Sequence, residues 1–255
     1  MAKVISFYNY KGGCGKTFTA LNVAVGFANK NKKTLIVDLD PQSNTSLKFF
    51  DDFENIDGIN EVIVNKLNIK DVIRPSKVNN LDVVSSKTKL KLAGGGVSIL
   101  EDSANREFLK IQIKKIENDY DYIIFDNNPW IEIFLRNITF CSDLVIIPVG
   151  VDLNAISGVN GTIDVIKDTI SSTSMDLNCD YKILLTMIGQ TRNGKDFTSL
   201  LKDTYQDKIL NTTIRFQKKP AEDQTIDDNY FAINDNKPIS NDLKSLVDEI
   251  EKELA

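Results

Sequence analysis

Tyr10-Lys11-Gly12-Gly13-Cys14-Gly15-Lys16-Thr17 is the stretch on which the reading of this 255-residue chain turns. It follows an apolar run, Val4 to Tyr8, and opens a segment with helical spacing, Lys16 to Lys30. Strand, glycine-rich turn and helix in that order form the context that a phosphate-binding loop requires. Glycines let backbone N–H groups crowd around phosphate oxygens, and the helix N-terminus adds its positive dipole. Lys16 is placed to reach β and γ phosphates, and Thr17 offers a hydroxyl to Mg2+. The general pattern G-x-x-x-x-G-K-[ST] calls for glycine at position 10, where this chain has Tyr10. What it has instead is an additional lysine, Lys11, ahead of Gly-Gly-x-Gly-Lys-Thr. Cys14 occupies a variable position of the loop and reads as a small filler, despite cationic surroundings of the kind that lower a thiol pKa.

Outward from the loop, further short apolar runs read as strands: Thr34 to Val37, Leu81 to Val84, Tyr122 to Phe125, Leu144 to Val149, Ile183 to Met187 and Ile209 to Ile214. Helical spacing recurs at Ile99 to Glu117, Ala155 to Ser171, Phe197 to Tyr205 and Leu243 to Leu254. The runs are continuously apolar instead of alternating, as expected for parallel strands covered on both faces. The fold class is therefore α/β, a doubly wound and mostly parallel sheet with helices on both sides. No repeat or linker divides the chain, so a single domain over residues 1–255 is expected. Gly94-Gly95-Gly96 reads as a loop before the helix from Ile99.

Two strands end in acids. Asp38-Leu39-Asp40-Pro41-Gln42-Ser43-Asn44 closes the second, and Ile123-Ile124-Phe125-Asp126 the fourth. In a parallel sheet these acids reach the carboxyl edge beside the phosphate loop, where they can hold a metal-bound water or position an attacking one.

Composition narrows the chemistry. Histidine is absent, which excludes a Ser-His-Asp triad, His-ligated zinc and an imidazole base. A net charge of −5 argues against coating nucleic acid by bulk charge, while leaving room for a local basic patch. Only five arginines accompany 26 lysines, so each guanidinium fork is informative. Cys14, Cys141 and Cys179 have neither disulfide nor zinc spacing. No signal-peptide core and no apolar run of membrane-spanning length is present, so a cytoplasmic location is expected.

With these motifs in place the chain resembles the ParA-type partition ATPases, whose phosphate loop is the deviant Walker A form of the P-loop NTPases. KGGCGKT at 11–17, DLDPQSN at 38–44 and YDYIIFD at 120–126 carry the resemblance. It extends through DLVIIPV at 143–149, LLTMIGQTRN at 184–193 and NKPISNDLKSLVDEIEKEL at 236–254, covering essentially the full length. The chain begins at the first strand, and no N-terminal DNA-binding extension is expected.

The resemblance implies roles residue by residue. Lys11 is the signature lysine that crosses a dimer interface to the partner's nucleotide, Lys16 the Walker A lysine and Thr17 the direct Mg2+ ligand. Gly12, Gly13, Cys14, Gly15 and Phe18 complete the nucleotide contacts. Asp40 positions or activates the hydrolytic water, while Asp38 and Asp126 reach the metal through water. Arg192 and the pair Lys218-Lys219 fall where the family contacts DNA phosphates without sequence preference. The implied cycle uses ATP and Mg2+: ATP closes a homodimer, the dimer binds DNA on the nucleoid, and a centromere-binding ParB-like adaptor stimulates an otherwise slow hydrolysis that releases it. Two departures touch the site. Phe18 stands where the family has a second threonine, and Asn127-Asn128-Pro129 replaces Thr-Pro-Pro after Asp126.

Related readings are weaker. A MinD-like or other cargo-positioning ATPase acting at membrane or nucleoid is the alternative, but MinD-like proteins carry a basic amphipathic tail. Residues 245–255 are acidic and lack aromatics. A nitrogenase-iron-protein relative needs a cysteine ahead of Asp126 that is also outside the phosphate loop, and Cys141 and Cys179 both follow it. No tyrosine cluster follows Tyr230, which sets aside a tyrosine-kinase relative.

Overall fold

The computed structural model describes residues 1–87, 99–100, 105–129, 131–152, 154–216 and 231–255. Strand β1 (Lys3–Phe7) enters the glycine turn, from which α1 (Lys16–Asn29) departs. Next come β2 (Thr34–Leu39), α2 (Asn44–Phe49), α3 (Ile59–Val64), α4 (Ile69–Val72), β3 (Arg74–Pro75) and β4 (Leu81–Val84). They are followed by α5 (Phe108–Lys114), β5 (Tyr122–Asn127), α6 (Glu132–Thr139), β6 (Leu144–Val149) and α7 (Ala155–Ser171). The last elements are β7 (Asp180–Ile188), α8 (Arg192–Tyr205), β8 (Ile209–Arg215) and α9 (Pro238–Glu253).

The strands form one eight-stranded sheet in the order β3-β4-β2-β5-β1-β6-β7-β8. Every pairing is parallel except β3 with β4, so the expected mostly parallel architecture holds. Strands β2, β5 and β6 are buried at every position, which explains their unbroken apolar runs. Adjacent residues feed opposite cores. Val4, Leu35 and Ile123 face one, with residues of α3, α5, α6 and α7, while Ile5, Ile36 and Ile124 face the other, with α1 and α9. Phe27 of α1 stacks on Tyr122 with ring centroids 3.8 Å apart, so the helix leaving the loop is held on the sheet by an aromatic pair.

Register builds the site. Phe7 lies opposite Asp126, and Asp126 opposite Asp38, so β1, β5 and β2 deliver the loop and two acids to one level of the carboxyl edge. The ligand crevice of a doubly wound sheet lies outside this edge.

Some boundaries differ from the sequence reading. The helix expected over Ile99 to Glu117 is found as Phe108–Lys114, with residues 101–104 outside the described set. Gly94-Gly95-Gly96 also lies outside it. Helices α8 and α9 start earlier than their apolar spacing shows, because Thr191 caps one through the Gly194 N–H and Pro238 opens the other. The short helices α2, α3 and α4 and the eight-residue α6 went unread: each offers too few turns for a period to declare itself.

Candidate functional site

The glycine turn takes its shape from two left-handed residues, Gly13 at φ 72° and Gly15 at φ 87°. A Cβ there would force conformations that L residues rarely adopt. Gly15 is the N-cap of α1 and has no side-chain cap, so the first N–H groups of the 14-residue helix remain for an anion. The loop is braced from outside. Lys11 N–H donates to Asn9 Oδ1 (2.9 Å), Asn9 Nδ2 donates to Pro148 O (2.8 Å), and Thr186 Oγ1 donates to Cys14 O (2.8 Å).

Lys16 is 6% exposed, and its Nζ donates to Lys11 O at 2.8 Å, folding the ammonium back over the loop. The Lys11 ammonium pairs with Asp152, on the turn after β6, and holds that carboxyl below its ordinary range. Cys14 is buried and its Sγ donates to Lys11 O at 3.2 Å. Burial pushes its thiol pKa up, outweighing the lowering effect of Lys16, so the filler reading accounts for it and the charged setting does not produce a thiolate.

The acids divide the work. Asp38 is fully buried; its Oδ1 accepts the Asp40 N–H (2.9 Å) and its Oδ2 accepts Ser46 N–H (2.8 Å) and Oγ–H (2.7 Å). It therefore pins both ends of the segment that carries Asp40. Asp126, also fully buried, accepts Thr45 Oγ1–H at Oδ2 (2.8 Å), while its Oδ1 has no hydrogen-bond partner among the described residues. Burial raises the pKa of both acids; for Asp38 the neighbouring Asp126 charge adds to it, and for Asp126 the Thr45 hydrogen bond and the nearby Thr17 hydroxyl oppose it. Asp40 is 7% exposed and accepts Gln42 N–H (2.9 Å) and Asn128 Nδ2–H (2.8 Å) on Oδ1.

A cavity of about 350 Å³ is lined by Gly12, Gly13, Gly15, Lys16, Thr17, Phe18, Asp40, Asn44, Pro129 and Met187, while Lys11, Cys14, Asp38 and Asp126 lie outside its lining. The size suits a small ligand. The residues fit a nucleotide with Mg2+: an uncapped helix N-terminus and ammonium for phosphate, a threonine hydroxyl, and a buried carboxylate oxygen lacking a partner. Pro129, at the wall, belongs to a departure noted in the sequence; Asn44 and Met187 beside it, and Thr45 and Ser46 behind the acids, were not singled out by sequence reasoning. Asn44 and Met187 both lay inside quoted segments, DLDPQSN and LLTMIGQTRN, but neither was assigned a place in the site. Phe18 lines the cavity where the family's hydroxyl would stand.

The predicted DNA contacts lie elsewhere. Arg192 is the first residue of α8, its side chain 93% exposed, with Asp196 3.8 Å away. Lys218 and Lys219 fall outside the described residues.

Comparison with known proteins places this geometry. An AAA domain family model matches residues 2–183. The chromosome partitioning protein ParA of Myxococcus xanthus is 34% identical over 76% of this chain and 68% of its own length. The sporulation initiation inhibitor protein Soj of Bacillus subtilis is 28% identical over 84% of each chain. A cobyrinic acid a,c-diamide synthase from Mycobacterium smegmatis, solved with ADP and magnesium, superposes with a TM-score of 0.82 at 20% identity, covering 99% of this chain and 95% of that one. That similarity shows the fold alone, since one architecture hosts different chemistries. The family match and the ParA relative decide the matter: this chain belongs to the AAA domain family, in its ParA-type branch of partition ATPases.

Proposed function

We propose that this chain acts as a single ATPase domain that binds ATP with Mg2+ in the cavity and hydrolyses it to drive DNA partition. The observation that carries the reading is the convergence of Gly12, Gly13, Gly15, Lys16, Thr17, Phe18 and Asp40 on one cavity, with Asp126 brought to the same sheet edge. Bound Mg2+ neutralises phosphate charge during transfer. The backbone N–H groups at the start of α1 hold phosphate oxygens, and Lys16 exchanges the Lys11 carbonyl for phosphate. Thr17 would offer its hydroxyl to the metal, and Asp126, whose Oδ1 has no partner among the described residues, would support it from behind the cavity. Asp40 orients the attacking water. Phosphoryl transfer depends mainly on such positioning, which a chain without histidine can supply.

In this reading ATP joins two copies, Lys11 leaves Asp152 for the partner's nucleotide, and Arg192 with Lys218 and Lys219 contacts DNA on the nucleoid in the cytoplasm. A ParB-like adaptor accelerates a slow basal hydrolysis. Doubling a small basic patch reconciles DNA binding with a net charge of −5. A membrane-acting alternative finds no support in α9. Its apolar residues Leu243, Leu246, Val247 and Ile250 are buried in the core with α1, leaving no apolar face for lipid. Among the described residues no helix is long and apolar enough to cross a membrane.

DNA co-sedimentation with Mg2+ and ATP tests the reading. Wild type is expected to pellet with DNA only with ATP, Lys16→Ala to stay in solution, and Asp40→Ala to bind at or above the wild-type level because its ATP dimer persists. Nucleotide-independent DNA binding, or loss of binding in Asp40→Ala, would overturn it.

A further inference from the structure

Asn128 stands beyond the end of β5, two residues past Asp126, and its side chain crosses to the loop after β2. Its Nδ2 donates to Asp40 Oδ1 at 2.8 Å, and both residues are buried, at 4% and 7% exposure. The same oxygen accepts Gln42 N–H at 2.9 Å, while Oδ2 receives no hydrogen bond among the described residues. One carboxylate oxygen is thus tied down and the other left to the cavity that Asp40 lines. The Gln42 bond alone comes from the loop itself and moves with it. The Asn128 bond comes from the segment that directly follows a different strand, β5.

That strand is anchored in turn. Asn127 Nδ2 donates to Phe7 O at 3.1 Å, joining the same segment to the end of β1 where the phosphate loop begins. Asp126, opposite Phe7 and Asp38 in register, is held by Thr45. Asn128 therefore refers the Asp40 carboxylate to the rigid element that also carries Asp126. A donor at position 128 sets the spacing between the acid that orients water and the acid beside the metal.

We propose that Asn128 is a positioning residue for ATP hydrolysis, acting through Asp40 by fixing which carboxylate oxygen faces the reacting water. The inference rests on the ATPase reading above. A proline at this position, as in the Thr-Pro-Pro pattern from which the chain departs, has no donor to offer, so the clamp is a property of this chain's own residues. Asn128 touches neither phosphate nor metal in this scheme. Its removal should slow the chemical step and leave binding intact, because misorienting one group at a reacting centre costs rate without costing affinity.

The test is steady-state phosphate release with Mg2+ and ATP, beside the affinity for a fluorescent ATP analogue, for wild type, Asn128→Ala and Asn128→Asp. Asn128→Ala is expected to lower kcat about tenfold while KM and analogue affinity stay within about twofold. Asn128→Asp keeps the side-chain volume but sets a second carboxylate against Asp40, and is expected to lower kcat further with KM again held. It guards against the Ala variant losing its fold. A kcat for both variants within about twofold of wild type would overturn the inference, as would affinity falling in step with kcat, the mark of a merely structural residue. A wild-type chain that binds the analogue without turning over ATP would overturn the ATPase reading itself, a result distinct from either.

Discussion

The nucleotide cradle and the exposed face of α8 are two basic-residue sites built on opposite terms. In the cradle Lys16 is 6% exposed and held by the Lys11 carbonyl of its own loop, while Asp38 and Asp126 are fully buried and held by Ser46 and Thr45 of α2. At the start of α8 the Arg192 side chain is 93% exposed, and its one acidic neighbour, Asp196, lies 3.8 Å away. An exposed pair of that kind contributes at most about 1 kcal/mol. The cradle is thus preassembled within one copy, whereas Arg192 has no comparable set of contacts among the described residues.

Lys16→Ala presses hardest on this contrast. Removing a buried ammonium from a preformed phosphate site is expected to weaken ATP binding by about 100-fold, read by titration with a fluorescent analogue. Retained affinity would mean that the cradle is less finished than its burial indicates. Arg192→Ala should act more gently, lowering DNA affinity several-fold and reducing the salt dependence by about one released counterion, with the melting temperature unchanged. A lowered melting temperature would show the residue to be structural, and an unchanged salt slope would remove it from the DNA surface. The smallest effect is one of pH. Burial raises the folded pKa of Asp38 and Asp126, so the native chain binds more protons than the unfolded one above the ordinary carboxylate value of about 4. This contribution is present at acid pH and lost as pH climbs through the raised values. The nucleotide-free melting temperature should fall on going from mildly acid to neutral pH, and fall less in Asp126→Asn. Equal slopes in the two proteins would contradict the burial argument.

Much of the cradle was legible because it is local. The turn from Tyr10 to Thr17, the strand ends at Asp38 and Asp126 and the apolar runs behind them each lie within a few residues of one another. The contacts that organise the acids are not local: Thr45 meets Asp126 across 81 positions, and Asn128 meets Asp40 across 88. No periodicity or spacing rule pairs such residues, so Asn128 showed in the sequence as a departure from a pattern and gained a role when the sheet register brought it to Asp40. Met187 belongs to the same class, since its place at the cavity wall follows from the path of β7.

Residue order by itself determined the α/β architecture and raised the expectation of a phosphate loop and of carboxylate chemistry in a chain without histidine, because these depend on backbone propensity, hydrophobic patterning and side-chain type. Only the tertiary structure decided that both oxygens of Asp38 are occupied while Asp40 and Asp126 each keep one without a hydrogen-bond partner among the described residues. That choice depends on parallel register between β1, β5 and β2, and hydrogen-bond geometry a few tenths of an ångström wide is set by the packing of all three strands together.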